Sequence, residues 1–323
     1  MRELLMSLRL PVFAAPMFLV SGPELVIAAC TSGIIGSFPT SNARPIEQLD
    51  QWMSTITGAL AHYRQRNPGH TVGPWCANVI THRSNSRISQ DLALLEKYQP
   101  PIVVTALGSP RPVLDVVHSY GGMVIADVIN LTLAHKAADA GADGLACISA
   151  GAGGHTGFIS PFAFVSAIRK FFDGYIVLGG GISDGYGIAG ALAAGADAVY
   201  MGTRFIPTHE SMASEAYKQM IVDSSLDDLV ISDRITGTPA SWLKPSLDLN
   251  DVCLDTMQAA PSRNYDSSQS MDSRRWKSIW AAGQGLGAID QIQPVAQVVV
   301  DLELEFRQAV DRFSHKTTCP YSL

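Results

Sequence analysis

The sequence predicts an α/β protein: a parallel (β/α)8 barrel of the TIM type carrying a smaller, mostly helical appended domain. Eight short apolar runs recur through the first two-thirds of the chain, segments of good helix formers separate them, and the alternation stops near residue 223. Near-continuous apolar strands alternating with helices imply a parallel sheet covered on both faces. Eight such units close into a barrel of about 250 residues, which the 323-residue chain accommodates.

The runs lie at 12–17, 34–38, 75–80, 102–107, 123–128, 144–149, 175–178 and 198–201. Helical spacing marks the segments 45–66, 87–98, 131–140 and 186–194 between them. Two junctions echo each other: 137–145 reads AADAGADGL and 193–199 reads AAGADAV. Each puts a glycine, Gly141 or Gly195, just past a helix, where a left-handed residue ends it. We therefore divide the chain into a barrel over 1–222, a lid-like appendage over 223–278 and a segment returning to the barrel over 279–323. The appendage is acidic at its start, rich in Pro and Trp at 236–245 and polar over 262–275. Val295, Val298, Val299, Leu302, Phe306 and Val310 recur at helical spacing, so a final helix over 295–313 packs back on the barrel.

Composition narrows the function. With 47% hydrophobic and 16% charged residues the chain buries much of itself, the opposite of a disordered composition. The net charge is −6 and no Lys/Arg run occurs, so no nucleic-acid partner is expected. Five cysteines without a CxxC pair argue against a disulfide framework and a metal site, and for a reducing, cytoplasmic setting. No secretory signal and no membrane span are expected.

In a parallel barrel the chemistry sits at the C-terminal strand ends. Strand seven runs into Gly179-Gly180-Gly181, and strand eight into Gly202-Thr203-Arg204-Phe205. Glycine turns with free N–H groups and a helix N-terminus behind them suit a phosphate, and barrels often bind one at this pair of loops. The loop after strand six, Ser149 to Gly157, sets four glycines around His155. No apolar face is available for His155 to fill, so it is the candidate acid–base group. His82 and His209 also follow strands and are second choices. Asn78 is an uncommon residue inside a strand. Its amide either bonds to backbone or meets the edge of a heterocyclic ring.

These residues resemble the nitronate monooxygenase family, formerly the 2-nitropropane dioxygenases. The resemblance lies in Ala15-Pro16-Met17, Asn78, Gly153-Gly154-His155-Thr156-Gly157, Gly179-Gly180-Gly181, Gly195-Ala196-Asp197-Ala198, Met201-Gly202-Thr203-Arg204-Phe205 and Trp280-Ala281-Ala282-Gly283-Gln284-Gly285. It spans nearly the whole chain and is loosest over 223–275. It implies a TIM barrel with non-covalent FMN, whose phosphate falls on Gly180, Gly181, Gly202 and Thr203. Flavin-ring contacts fall on Met17 and Asn78, with Pro16 and Gly154 completing the cofactor set. Gln284 lines the pocket and His155 is the catalytic residue. The implied reaction takes a small-molecule alkyl nitronate and O2 to a carbonyl compound and nitrite, and a homodimer is the expected assembly. Two departures stand out. Ala15-Pro16 occupies the place of a Gln-Gly-Gly stretch of some members, and Asp127 that of a lysine. An alternative within the superfamily is an FMN-dependent NAD(P)H:quinone reductase or enoyl-ACP reductase. An IMP dehydrogenase-like reaction needs a nucleophilic cysteine in the loop after strand six, where this chain has His155. A protein that merely stores or senses FMN is the non-enzymatic alternative.

Overall fold

The computed structural model describes residues 7–257 and 278–317. Eight parallel strands close into a barrel. They are β1 (Val12–Ala14), β2 (Ile35–Pro39), β3 (Trp75–Ile80), β4 (Ile102–Ala106), β5 (Met123–Val128), β6 (Gly144–Ile148), β8 (Tyr175–Gly179) and β9 (Ala198–Met201). Closure joins β1 to β9, with Phe13 opposite Tyr200. The two-residue strand β7 (Gly154–His155) lies outside the barrel.

The period of two divides each strand between two cores. Phe13, Ile35, Cys76, Ile125, Ala146 and Val177 fill the barrel interior. Their neighbours Val12, Val79, Val103, Leu145 and Val199 pack under the surrounding helices. Both faces of the sheet are therefore buried, which is why the strands read as uninterrupted apolar runs. Gly141 and Gly195 take left-handed φ values of 97° and 105°, as the repeated AGAD motif predicts.

All eight expected strands are present, but the first is shorter than 12–17. The Ala15 N–H still reaches the Met201 carbonyl at 2.8 Å, and Pro16 then has no N–H to continue the ladder. The appendage differs more. Its described part holds β10 (Leu229–Ser232), antiparallel to β11 (Ala240–Leu243), followed by the short helix Lys244–Asp248. β11 also pairs with β7, giving a three-stranded sheet where mostly helical structure was expected. Trp242 anchors this sheet, fully buried among Ile235, Leu247 and Ile279. The polar stretch 262–275 lies outside the described residues.

The final helix runs Val295–Thr317, four residues past its expected end. Val295, Val298, Val299 and Leu302 are buried against the barrel and Phe306 partly so, whereas Val310 is exposed. This helix lies close on the helix Gly185–Ala193: a Cβ on Gly185 would stand 2.1 Å from the Phe306 nitrogen and 2.5 Å from the Leu302 oxygen. Those are backbone atoms of a regular helix and cannot step aside. Gly185→Ala is therefore expected to destabilise the protein by roughly 1–3 kcal/mol, read as a lowered chemical-denaturation midpoint. An unchanged midpoint would show that the two helices separate freely.

Candidate active site

At the C-terminal mouth of the barrel, one carbonyl gathers three segments. Gly151 O accepts the Gly181 N–H at 3.1 Å and the Gln284 N–H at 2.8 Å. It thereby ties the loop after β6 to the turn after β8 and to the returning segment. Gly151 itself is left-handed, at φ 90°, and a Cβ there would lie 2.9 Å from Gln284 Oε1 and 3.2 Å from the Gly181 nitrogen. The approach is equally close beside it: a Cβ on Gly153 would meet Gly283 N at 2.6 Å, and one on Gly283 would meet Gly151 O at 2.6 Å. Thr203 Oγ1 accepts the Gly283 N–H at 2.9 Å, bringing the end of β9 into the same knot.

Next to the knot opens a cavity of about 590 Å³ lined by Ala150, Ser160, Pro161, Gly180, Gly181, Leu226 and Gln284. Its size falls within the range of small-molecule sites. Gly180 sits at φ 132°, and a Cβ on it would come 2.2 Å from Ser149 Oγ and 2.7 Å from Ala150 O, so only glycine fits. Ser149 holds the turn by donating to Gly179 O at 2.6 Å. The structure thus brings Gly180, Gly181 and Gln284 together on one cavity, and packs Met17 against Gly202, where a Cβ would lie 3.5 Å from Met17 Sδ.

One expectation for the phosphate end changes. The Gly181 N–H is spent on Gly151 O, and the helix behind the turn is already capped. Gly187 N–H donates to Asp184 Oδ1 at 2.6 Å and Gly185 N–H to Glu305 Oε2 at 2.8 Å. Two carboxylates occupy the helix N-terminus, so an anion has to be held by the turn, not by the helix dipole.

His155 is not on a loose loop. In β7 it stands opposite Ala240 of β11, with Gly154 opposite Ser241, and it is half-buried. The next residue, Thr156, bonds through its N–H to Pro239 O at 3.1 Å and through Oγ1 to Ser149 O at 3.2 Å. One peptide thus joins the appended sheet to the barrel loop. Of the second choices, His82 is engaged in its own turn, with Nδ1 2.8 Å from Ser84 Oγ. His209 is tied by its N–H to Gln293 O at 3.3 Å.

Pro16 and Met17 form the turn that ends β1. Asn42, which sequence reasoning passed over, fixes that turn: its Nδ2 donates to Met17 O at 2.9 Å and Ser21 O at 2.8 Å, and its Oδ1 accepts Leu19 N–H at 2.9 Å. The signal was present as a lone amide closing the Thr40-Ser41-Asn42 turn. Asn78 is buried in β3 and donates to Val104 O at 3.4 Å, a long bond that engages the amide weakly. Asp127 lies in β5 with one carboxylate oxygen shut away from solvent. Burial pushes its carboxyl up to about 7.

A nitronate monooxygenase family model matches residues 2–305. The chain is similar to the (3aS,4S,5R,7aS)-5-hydroxy-7a-methyl-1-oxo-octahydro-1H-indene-4-carboxyl-CoA dehydrogenase of Rhodococcus jostii, at 26% identity, covering 85% of this chain and 74% of that one. It is also similar to a nitronate monooxygenase of Paraburkholderia phytofirmans, at 25% identity over 95% of both chains. Among solved structures, FabK from Thermotoga maritima matches with a TM-score of 0.79 at 26% identity, over 97% of each chain.

The knot at Gly151 predicts a graded response to an added methyl group. Gly69 shares its left-handed φ, at 93°, but has nothing within 4 Å of a Cβ. Gly69→Ala should cost only the backbone penalty of about 1 kcal/mol. Gly151→Ala should cost roughly twice that or more, since Gln284 must also move. Equal losses in denaturant melts would remove Gly151 from its structural role.

Proposed function

The chain belongs to the nitronate monooxygenase family, and from that premise we propose that it oxidises alkyl nitronates with FMN and O2 to carbonyl compounds and nitrite. The observation that carries the reading is the Gly180 turn, which excludes any side chain and opens on a cavity of about 590 Å³ at the barrel mouth. Such a space at the end of β8 supports a phosphate-bearing ligand, which barrels often bind in this region.

The residues present fit flavin mononucleotide. Gly180 leaves room for the phosphate, and Thr203 Oγ1, which accepts from Gly283, keeps its own hydrogen to donate. Gly181 and Gly202 contribute space, Gly181 because its N–H is engaged elsewhere and Gly202 because the nearest atoms to a Cβ there are side-chain atoms of Met17 and Ala15, at 3.5–3.9 Å. Pro16, Met17, Asn78 and Gly154 would border the ring, and Gln284 would line the pocket. FMN, when bound, supplies electron acceptance and reactivity toward O2. The protein orients the substrate and limits water. His155 would hold the nitro oxygens of the nitronate or, when a neutral nitroalkane enters, take the proton from its α-carbon, a task suited to imidazole near neutral pH.

The test is to purify the protein, record its visible spectrum and mix it in air with propionate 3-nitronate. Nitrite release by a yellow protein is the expected result. His155→Ala should remain yellow and lose about 100-fold or more of its turnover, the usual range for an acid–base group. Full activity in that variant would exclude His155. Gly181→Glu should abolish flavin retention, because it sets a carboxylate beside the phosphate; normal flavin content there would refute the phosphate position.

A second reading draws on two relatives: the dehydrogenase named for a CoA thioester, and the match to FabK over 97% of each chain. It makes the protein an FMN-dependent reductase driven by NAD(P)H, acting on a quinone or an enoyl thioester. Rapid flavin bleaching by NADH without oxygen, together with no nitrite release, would favour it.

A further inference from the structure

Asp127 is the only Asp, Glu, Lys, Arg or His in the eight barrel strands. It alternates with Met123 and Ile125, both in the interior cluster, and therefore faces into the barrel. Cys76 on β3 and Tyr200 on β9 sense its charge across that interior. Deeper in the barrel Ile125, Val104, Cys76 and Ala146 are buried. Asp127 is only half-buried, so it is reached from the mouth. It lies two residues nearer the C-terminal strand ends than Ile125, on the same inward face of β5. Its Oδ1 is sealed from solvent without a hydrogen-bond partner.

We propose that Asp127 is a specificity-determining residue at the floor of the substrate site, where its carboxylic acid donates a hydrogen bond to an oxygen of a planar, two-oxygen anion. The proposal rests on reading the barrel mouth as the substrate site. An ionised carboxylate with no cation beside it would repel such an anion, whereas the acid attracts it. Burial favours the acid, holding the carboxyl near 7. The titratable groups around it do not compete for this role. Cys76, Cys147 and Tyr200 are all pushed up by burial and stay neutral through pH 8. His155, in β7, is a second titratable side chain at the mouth.

Benzoate tests this. It is planar, ends in two oxygens like a nitronate, remains an anion from pH 6 to 8 and does not turn over. Its binding to the flavin-loaded protein is measured by titration calorimetry. Wild-type affinity should fall about tenfold between pH 6 and pH 8, as a donor titrating near 7 is lost. Asp127→Asn should bind with no pH dependence and at least as tightly as wild type at pH 8, since an amide N–H donates at any pH. Asp127→Ala should be pH-independent and weak throughout. Wild-type pH dependence persisting in Asp127→Asn would assign it to His155 or the flavin phosphate and overturn the proposal. So would tight binding by Asp127→Ala, or no binding by wild type at pH 6.

A second measurement uses no ligand. A carboxyl raised from 3.8 toward 7 in the folded state holds its proton more strongly there than in the unfolded chain. Its contribution to stability is therefore present at low pH and is lost as pH rises through the folded value. The thermal midpoint of wild type should fall relative to that of Asp127→Asn between pH 5 and pH 8. Parallel curves would overturn the proposal. Nitrite release without the benzoate effect would sink this inference alone. The benzoate effect without nitronate turnover would sink the proposed reaction alone.

Discussion

The Gly151 carbonyl, by accepting two N–H groups from distant parts of the chain, determines what the barrel mouth can be. Each hydrogen bond contributes only about 1 kcal/mol net. The geometric consequence is larger. Three backbones meet with Cβ positions 2.6–3.2 Å from neighbouring atoms, so Gly151, Gly153 and Gly283 must all lack side chains. Thr203 adds a fourth segment through its hydroxyl. The glycines of this region are therefore of two kinds: those that let backbone approach backbone, and Gly180, which crowds against Ser149 and keeps the turn beside the cavity free of side chain.

The barrel itself is divided along its axis. Its lower interior is packed mostly with apolar side chains, Ser37 beside Cys76 being an exception, while the polar groups Asn78 and Asp127 sit toward the C-terminal ends of β3 and β5. Burying a carboxyl without a partner costs free energy that a leucine at the same position would not. Polar groups at that depth compromise the core, and such compromises gather at functional sites. The N-terminal ends show no such departure: Ile35, Cys76, Ile102 and Met123 are all buried.

The strands were legible because both of their faces are buried, which produces unbroken apolar runs, and Gly141 and Gly195 marked the helix ends correctly. The candidate cavity was legible in Gly180 and Gly181 for the same local reason. What escaped depends on residues far apart in sequence. β7 has two residues, too few for any periodic pattern, and exists only because β11 pairs with it. The helix N-terminus expected to face a phosphate is instead capped by Glu305 of the final helix, a partner that no local pattern reveals. β10 and β11 are four residues each, too short for a clear period of two, within a stretch that reads as a mostly helical appendage. Asn42 could have been found, as a polar residue inside a turn, but nothing nearby shows that its partners are Met17 and Ser21.

Two hydrogen-bond systems thus hold the two halves of the candidate site. The cavity turn belongs to the barrel, through Gly151, Gly181 and Gln284. The imidazole belongs to the appended sheet, because the His155 backbone is paired with Ala240 and not with any barrel strand. Gly153 and Thr156 are where the systems touch: one lies against Gly283, the other bridges Pro239 and Ser149. A change in the β10–β11 hairpin can therefore shift the imidazole while the cavity turn keeps its shape. Residues 223–257 need not resemble those of a relative for the proposed flavin end to be shared. On the proposed FMN reading the barrel decides whether the cofactor fits, and the hairpin decides what is presented to it.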